Sequence, residues 1–499
     1  MQQIKRIKLT QVELTARLIL AVVVLAIIPL AIWVYFGASD VASGLLAWLA
    51  APFVPSEVDD SWMPISHALH YLDTHPAATG LYQETYFQSD SQFIYSVPSL
   101  IIFKVARALG VNWDSPSSLN LLSWFFVPAI IFAEAFMLRA LSTSLGLRSR
   151  GAPSYFEFAL DLIFAALAVL FFYPIMRALS LGQIQTWLTF ALILSIFLWF
   201  QERKTAAGIL LGLVSVVKPH IGIVAVWGLL RREWHFALGM IGTGATLGLA
   251  SVLIFGWQVH SEYLQLLIFL STRGESFHYS HSVESMLLRL THNGNNLDWD
   301  GSHTQVQYVP WIHYTAMTSS LLILGSALFS RKARTKHCAL IDYCIILLAA
   351  VVASPVAYEH HYGVLSMIFL CAAVLWCGYA PAWRVTGISL AVSYALCANL
   401  IPATDRLADS HWNVLQSYLL WAALLTLVLL HRLKSVVRDA ESSPFEAHRG
   451  AEALSGVIPA AKSLDRSSAS SPRRRGPRYR CAISIASAAG IPGFPLSRE

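Results

Sequence analysis

Three polar pairs interrupt a strongly apolar chain: Asp59-Asp60, Gly182-Gln183 and His360-His361. A carboxylate held near an anionic group has its pKa drawn toward neutrality and serves there as a general base. An amide both donates and accepts hydrogen bonds, and an imidazole titrates near pH 6.5. Lys218, in the middle of an apolar run, joins them. A charge at membrane depth costs about 2.5–3.5 kcal/mol on insertion scales, so this lysine needs a partner or a role, and a phosphate supplies both. If the apolar runs are membrane spans, the three pairs fall on one side of the membrane, which describes a reaction site at the lipid surface. Each residue also has a plain structural alternative. Asp59 or Asp60 can cap the following helix, Gln183 can open one, the histidines can close one, and Lys218 can snorkel to a headgroup.

The elements that must position these residues follow from composition. Of the 499 residues, 56% are apolar and 13% charged, with mean hydropathy +0.56, which excludes an ordinary soluble chain. Apolar runs of about twenty residues, each able to cross roughly 30 Å of hydrocarbon, predict an all-α polytopic membrane protein; a barrel would show alternation instead. Ten spans are expected at about 16–36, 120–140, 156–174, 183–200, 235–256, 311–329, 339–353, 362–378, 385–401 and 412–430. Nineteen Lys and Arg residues fall on one side of this map and six on the other, which predicts cytoplasmic N- and C-termini in a cell inner membrane. The run 206–230 has basic residues at both ends and Lys218-Pro219 at its centre, so it reads as two half-helices broken by the proline. The large loops, 37–119 and 257–310, then face outward, toward the periplasm or exterior. Residues 1–438 form the membrane domain, and 439–499, rich in Ser, Ala, Pro and Arg, read as a disordered cytoplasmic tail. The six cysteines show neither a disulfide framework nor zinc spacing. There is no Walker-type lysine loop, dinucleotide glycine pattern or Gly-x-Ser-x-Gly elbow, which argues against a nucleotide-driven pump and an acyl hydrolase.

The aspartate pair is followed by LYQETY (81–86) and FIYSVP (93–98), then LSLGQIQTWL (179–188), GILLGLVSVVKPHIGI (208–223) and SPVAYEHHYGVL (354–365). In order, spacing and side of the membrane these motifs resemble glycosyltransferase family 87 over most of 55–365. Those enzymes are polyprenol-phosphate-mannose-dependent alpha-mannosyltransferases with the GT-C membrane fold. The resemblance implies that the catalytic aspartate is Asp60, with Asp59 the adjacent competitor. It places the family's Gly-Gln on Gly182-Gln183, its Lys-Pro on Lys218-Pro219 and its histidine pair on His360-His361. Tyr358-Glu359 stand where the family often has Trp and Asp, and a further family segment is partly kept in HSVESMLLRL (281–290), with Ser282 and Arg289 retained.

Such a donor carries its sugar on a long isoprenoid through a single phosphate. The expected phosphate ligands are Lys218, Arg177, His360, His361 and Arg289, and the expected substrate contacts are Gln183, Tyr82, Tyr95 and Glu359. Arg273 touches donor phosphate or solvates its loop. No cofactor is expected. A monophosphate leaving group does not require a metal; a divalent ion held by Asp59 and Asp60 is the alternative. A single base with direct loss of lipid phosphate inverts the anomeric carbon. The expected partners are the lipid-linked sugar, a glycolipid or glycan acceptor and the bilayer, with no nucleic acid. The competing functions are a flippase or transporter for lipid-linked sugars and an oligosaccharide ligase.

Overall fold

The computed structural model describes residues 11–29, 31, 59–75, 78–89, 92–110, 115–148, 153–291, 296–299, 306, 308–380 and 384–442. These residues are helical apart from turns and two isolated antiparallel bridges, Gly274 with Val306 and Ser280 with Tyr358. The outer end of the expected first span and the expected tail from Ser443 onward lie outside the described residues. The last helix runs to Ser442, four residues past the expected domain boundary.

In chain order the helices are α1 (Gln11–Val22), α2 (Trp62–Thr74), α3 (Ile101–Ala108), α4 (Pro116–Ser144), α5 (Tyr155–Leu170), α6 (Tyr173–Ser180), α7 (Gln185–Phe200), α8 (Lys204–Val217) and α9 (Ile223–Leu230). They continue as α10 (Trp234–Phe255), α11 (Trp257–Ser271), α12 (Val283–Thr291), α13 (Pro310–Leu328), α14 (Lys336–Val352), α15 (Leu365–Tyr379), α16 (Arg384–Ala398) and α17 (Tyr418–Ser442). A helix overlaps each expected apolar run. Ten full spans, however, are not what their lengths support. Among the described residues four helical stretches are long and apolar enough to cross a membrane: Pro116–Ser144, Trp234–Phe255, Glu359–Tyr379 and His411–Glu441. A fifth is added if the bent pair α5–α6 counts as one. For α13, with 19 residues, the shortfall is in hydropathy; for the shorter helices it is length. At 1.5 Å per residue, helices such as α7, with 16 residues, and α16, with 15, rise only about 22–24 Å, short of the roughly 30 Å hydrocarbon layer.

Two breaks position the site. The α5–α6 pair bends by 63° just before Tyr173-Pro174, where a proline enters the first turn of α6. This leaves α6 packed on the 3₁₀ segment Glu359–Val364. The second break is at Lys218-Pro219, where the half-helix reading put it. A residue before proline is pushed out of the α region, and Lys218 sits at φ −122°, ψ 89° between α8 and the 3₁₀ turn Pro219–Gly222. The α8 helix is held against α10 by close backbone approach. A Cβ at Gly208 would lie 2.1 Å from the Phe236 carbonyl oxygen, so only glycine fits there.

Away from the breaks, two groups of buried ion pairs hold helices together. Arg148 and Asp161 meet at 2.6 Å with both side chains fully buried, and Thr15 bonds to both. Asp342 accepts from Arg231 Nε at 2.7 Å and from Lys434, and Ser330 donates to it at 3.1 Å, which ties α14 to α17 and to the ends of α9 and α13. Removing one member of a buried ion pair strands the others, at about 3–5 kcal/mol. Asp342→Ala is therefore expected to lower the melting temperature of the detergent-purified protein markedly. Asp73→Ala, which breaks half-exposed pairs with Lys104 and Arg107, is expected to change stability by about 1 kcal/mol or less in the same measurement.

Candidate active site

The segment before α2 docks on the turn between α6 and α7. The backbone N–H of Asp60 donates to the Leu181 carbonyl at 3.0 Å, and that of Ser61 to the Gly182 carbonyl at 3.2 Å. The approach is so close that a Cβ on Gly182 would lie 2.6 Å from Asp59 Oδ1, and Gly182 itself sits at φ +61°. Asp59 is also left-handed, at φ +39°. The N-cap of α2 is Ser61 and makes no side-chain cap bond, so neither aspartate occupies the capping position.

Ser61 is instead the hub of the turn. Its hydroxyl donates to Gln183 Oε1 at 2.8 Å, accepts from the Ile184 N–H at 3.0 Å and meets the Tyr95 hydroxyl at 2.6 Å. Gln183, oriented by that contact, donates through Nε2 to Asp60 Oδ2 at 3.0 Å. Asp59 is held separately, by Asn120 Nδ2 at 2.6 Å, and Asn120 in turn accepts from the Trp62 indole at 2.8 Å. Tyr82 is fully buried and donates to the Tyr95 carbonyl at 2.7 Å, so it stands behind Tyr95. Burial pushes the Asp60 carboxyl up from its ordinary value. The Gln183 hydrogen bond and the Arg177 charge oppose that rise, and the Asp59 charge adds to it.

One cation, Arg177, stands within electrostatic reach of Asp60. Arg177 Nε donates to Glu359 Oε1 at 2.8 Å, the Tyr173 hydroxyl donates to the same oxygen at 2.8 Å, and the guanidinium lies 5.2 Å from the centre of the Tyr279 ring. Glu359 is thus a buried holder of Arg177, whose own side chain keeps 29% of its surface exposed. Next to it His360 stacks on Tyr358, with ring centres 5.5 Å apart, and His361 stands perpendicular to His360 at 4.6 Å. The Tyr358 hydroxyl is anchored on Glu275, whose carboxyl burial pushes up to about 8. Lys218 lines a cleft with His361, His220, Gln185 and Ser354, and among the described residues its side chain has no hydrogen-bond or ion-pair partner. Arg177 and Lys218 both act electrostatically on His360, which joins the two cationic groups.

Arg289 has a different setting from the other expected phosphate ligands. It is fully buried, donating to the Phe277 carbonyl at 3.0 Å, the Ser280 carbonyl at 2.9 Å and Ser417 Oγ at 2.5 Å, and burial pulls its pKa down to about 10. It clamps the 257–310 loop to the segment before α17. Ser282 accepts from the Ser285 N–H at 3.0 Å in the first turn of α12, and Arg273 rests over the Phe269 ring at 4.8 Å. Ser61, Asn120, Tyr173, Tyr279 and Glu275 were not singled out from the sequence. A signal existed for two of them: Ser61 follows the aspartate pair directly, and Asn120 is an amide at the start of an apolar run. Among the described residues no group of three or more His, Cys, Asp or Glu side chains is arranged to hold a metal ion.

The family model for glycosyltransferase family 87 matches residues 93–355, just over half of the chain. The chain belongs to glycosyltransferase family 87. No curated protein and no solved structure matches it. The family match spans Tyr95, Arg177, Gln183 and Lys218; the aspartate pair lies before it and the histidine pair after it. The structure brings both pairs to the matched residues, the first through the Asp60 and Ser61 tethers and the second through α6 and the Lys218 cleft. As a family 87 protein with several membrane-capable helices, it is a membrane glycosyltransferase.

The tightest constraint in this glycosyltransferase site is Gly182. Gly182→Ala adds a Cβ in a left-handed conformation, at about 1–2 kcal/mol, and drives it into Asp59. The expected outcome is a lowered melting temperature together with loss of glycosyl transfer. Retention of both would show that the turn can open.

Proposed function

We propose that this protein transfers mannose from polyprenyl-phosphate mannose to a glycolipid or glycan at the outer face of the cell inner membrane, with Asp60 as general base. What carries the reading is the pairing of a half-buried carboxylate, oriented by Gln183, with Arg177, which shares His360 as an electrostatic neighbour with the unpartnered Lys218. The acceptor hydroxyl passes its proton to Asp60 as its oxygen attacks the anomeric carbon from the face opposite the phosphate. The bond from that carbon to the phosphate oxygen breaks, and its electron pair leaves with the lipid phosphate. Arg177, Lys218 and a histidine of the His360-His361 pair stabilise the charge that develops there, in a cleft where fixed donors act more strongly than in water. Displacement in one step inverts the anomeric carbon, so a beta-linked donor gives an alpha-linked product.

Asp59, bonded to Asn120 and bent into a left-handed backbone, serves this reading as the residue that shapes the turn. Gln183 and Tyr95, through Ser61, keep the Asp60 carboxylate in place. Glu359 and Tyr173 keep Arg177 extended toward the leaving group.

Two outcomes follow. Asp60→Asn is expected to reduce transfer from polyprenyl-phosphate mannose by about 10²- to 10⁴-fold, the usual contribution of a general base. Because the fold raises the Asp60 pKa, its favourable contribution to stability is present at low pH and lost as pH rises through the raised value. The Asn variant should therefore melt no lower than wild type at neutral pH, which separates lost chemistry from lost fold. The acid limb of the pH–rate profile should lie above the ordinary carboxylate range near 3.9. Gln183→Leu, which removes a hydrogen bond favouring the ionised form, should move that limb to higher pH. An unmoved limb would rule out Asp60 as the titrating base.

A further inference from the structure

The cleft that holds Lys218 contains a polar group that the proposed reaction has not used. Gln185 opens α7, is 3% exposed, and its Oε1 is buried without a hydrogen-bond partner among the described residues; its Nε2 makes only a long 3.4 Å contact with Thr189. A buried amide left this way loses about 1–3 kcal/mol, so it is expected to have a ligand. The surroundings say what kind. Lys218, His361 and His220 supply cationic or donor groups to the cleft, and the first residue of the 16-residue helix α7 lies on its wall, which puts the positive end of a helix dipole there. Apart from Ser354 the rest of the lining is aliphatic: Leu188 and Leu192, one turn apart on α7, with Val214, Ile221 and Val351. Anion-binding groups therefore adjoin closely packed apolar side chains, each 6% exposed or less, which must part to admit a lipid chain.

We infer that Gln185 is a donor-binding residue, its amide donating to the phosphate of a polyprenyl monophosphate whose first isoprene units lie along Leu188, Leu192 and Val214. The assignment rests on the proposed lipid-phosphate donor and adds to it the place where phosphate passes into hydrocarbon. Amide orientation is set by the ligand: with the amide turned so that Nε2 faces the cleft, the oxygen faces the Thr189 hydroxyl, which can donate to it. A carboxylate in the same shape would face the phosphate with like charge.

The test measures binding of polyprenyl monophosphate, and of the uncharged polyprenol, to the full-length protein in detergent by intrinsic tryptophan fluorescence. Wild type is compared with Gln185→Leu and the isosteric Gln185→Glu, each shown folded by its melting temperature. Loss of a hydrogen bond to a charged group should weaken phosphate binding by about tenfold or more in the Leu variant. The Glu variant should lose more, and polyprenol binding should stay within about twofold for both. In steady-state transfer the Leu variant should raise KM for the lipid donor and, because the amide meets the departing phosphate, lower kcat as well. Equal binding of the phosphate by wild type and both variants would overturn the role of Gln185 alone. Failure of wild type to bind polyprenyl monophosphate would overturn this role together with the lipid-phosphate donor.

Discussion

The cost of holding charge away from water organises this protein. Set among the helices, Arg148 faces Asp161, Arg231 and Lys434 share Asp342, and Arg177 faces Glu359. Lys218 breaks the pattern, because among the described residues no carboxylate meets it. An ammonium in that position is costly unless something anionic visits. The broken α8–α9 helix, the bent α5–α6 pair and the 3₁₀ turn Glu359–Val364 all deliver polar side chains to the surroundings of that lysine.

The same economy explains the difference between the two aspartates. Both sit at the mouth of one turn, yet Asn120 takes Asp59 and Gln183 takes Asp60. Ser61 couples Gln183 to Tyr95, and Tyr82 supports Tyr95 from behind, so the orientation of Asp60 is transmitted through three layers of side chains. A carboxylate placed so has little freedom, which would suit the proposed reaction, in which the attacking oxygen must line up with a departing phosphate. The cationic side is built in the same layered way, with Glu359 and Tyr173 behind Arg177 and Glu275 behind Tyr358.

Much of this was legible in the chain itself, for physical reasons. Apolar runs mark helices, so helix positions agree with the sequence reading, and a proline after Lys218 announces its own break. Span number was less legible: hydropathy locates a helix without fixing whether 15 or 16 residues suffice to cross. Asp60, Gln183, Arg177 and Lys218 were visible because charged and amide groups are rare in such surroundings. Ser61 was not singled out: its place directly after the aspartate pair was the one local hint, and its role shows only when its hydroxyl is seen to meet three partners. Arg289 shows the limit for charge: its type suggested a phosphate ligand, and only the fold reveals that backbone carbonyls occupy it. Tyr173 and Glu359 are 186 residues apart, and nothing local in either segment predicts that they meet.

The central claim of the proposed function is that a lipid phosphate binds near Arg177 and the Lys218 cleft, with the attached sugar toward Asp60. The most direct measurement is an electron cryomicroscopy map of the protein in nanodiscs with polyprenyl-phosphate mannose, using Asp60→Asn to prevent turnover. The account predicts phosphate density within hydrogen-bonding distance of Arg177 or Lys218, with the sugar facing residue 60. Phosphate density elsewhere, for example against the Arg231 and Lys434 network at the far ends of α9 and α17, would contradict it.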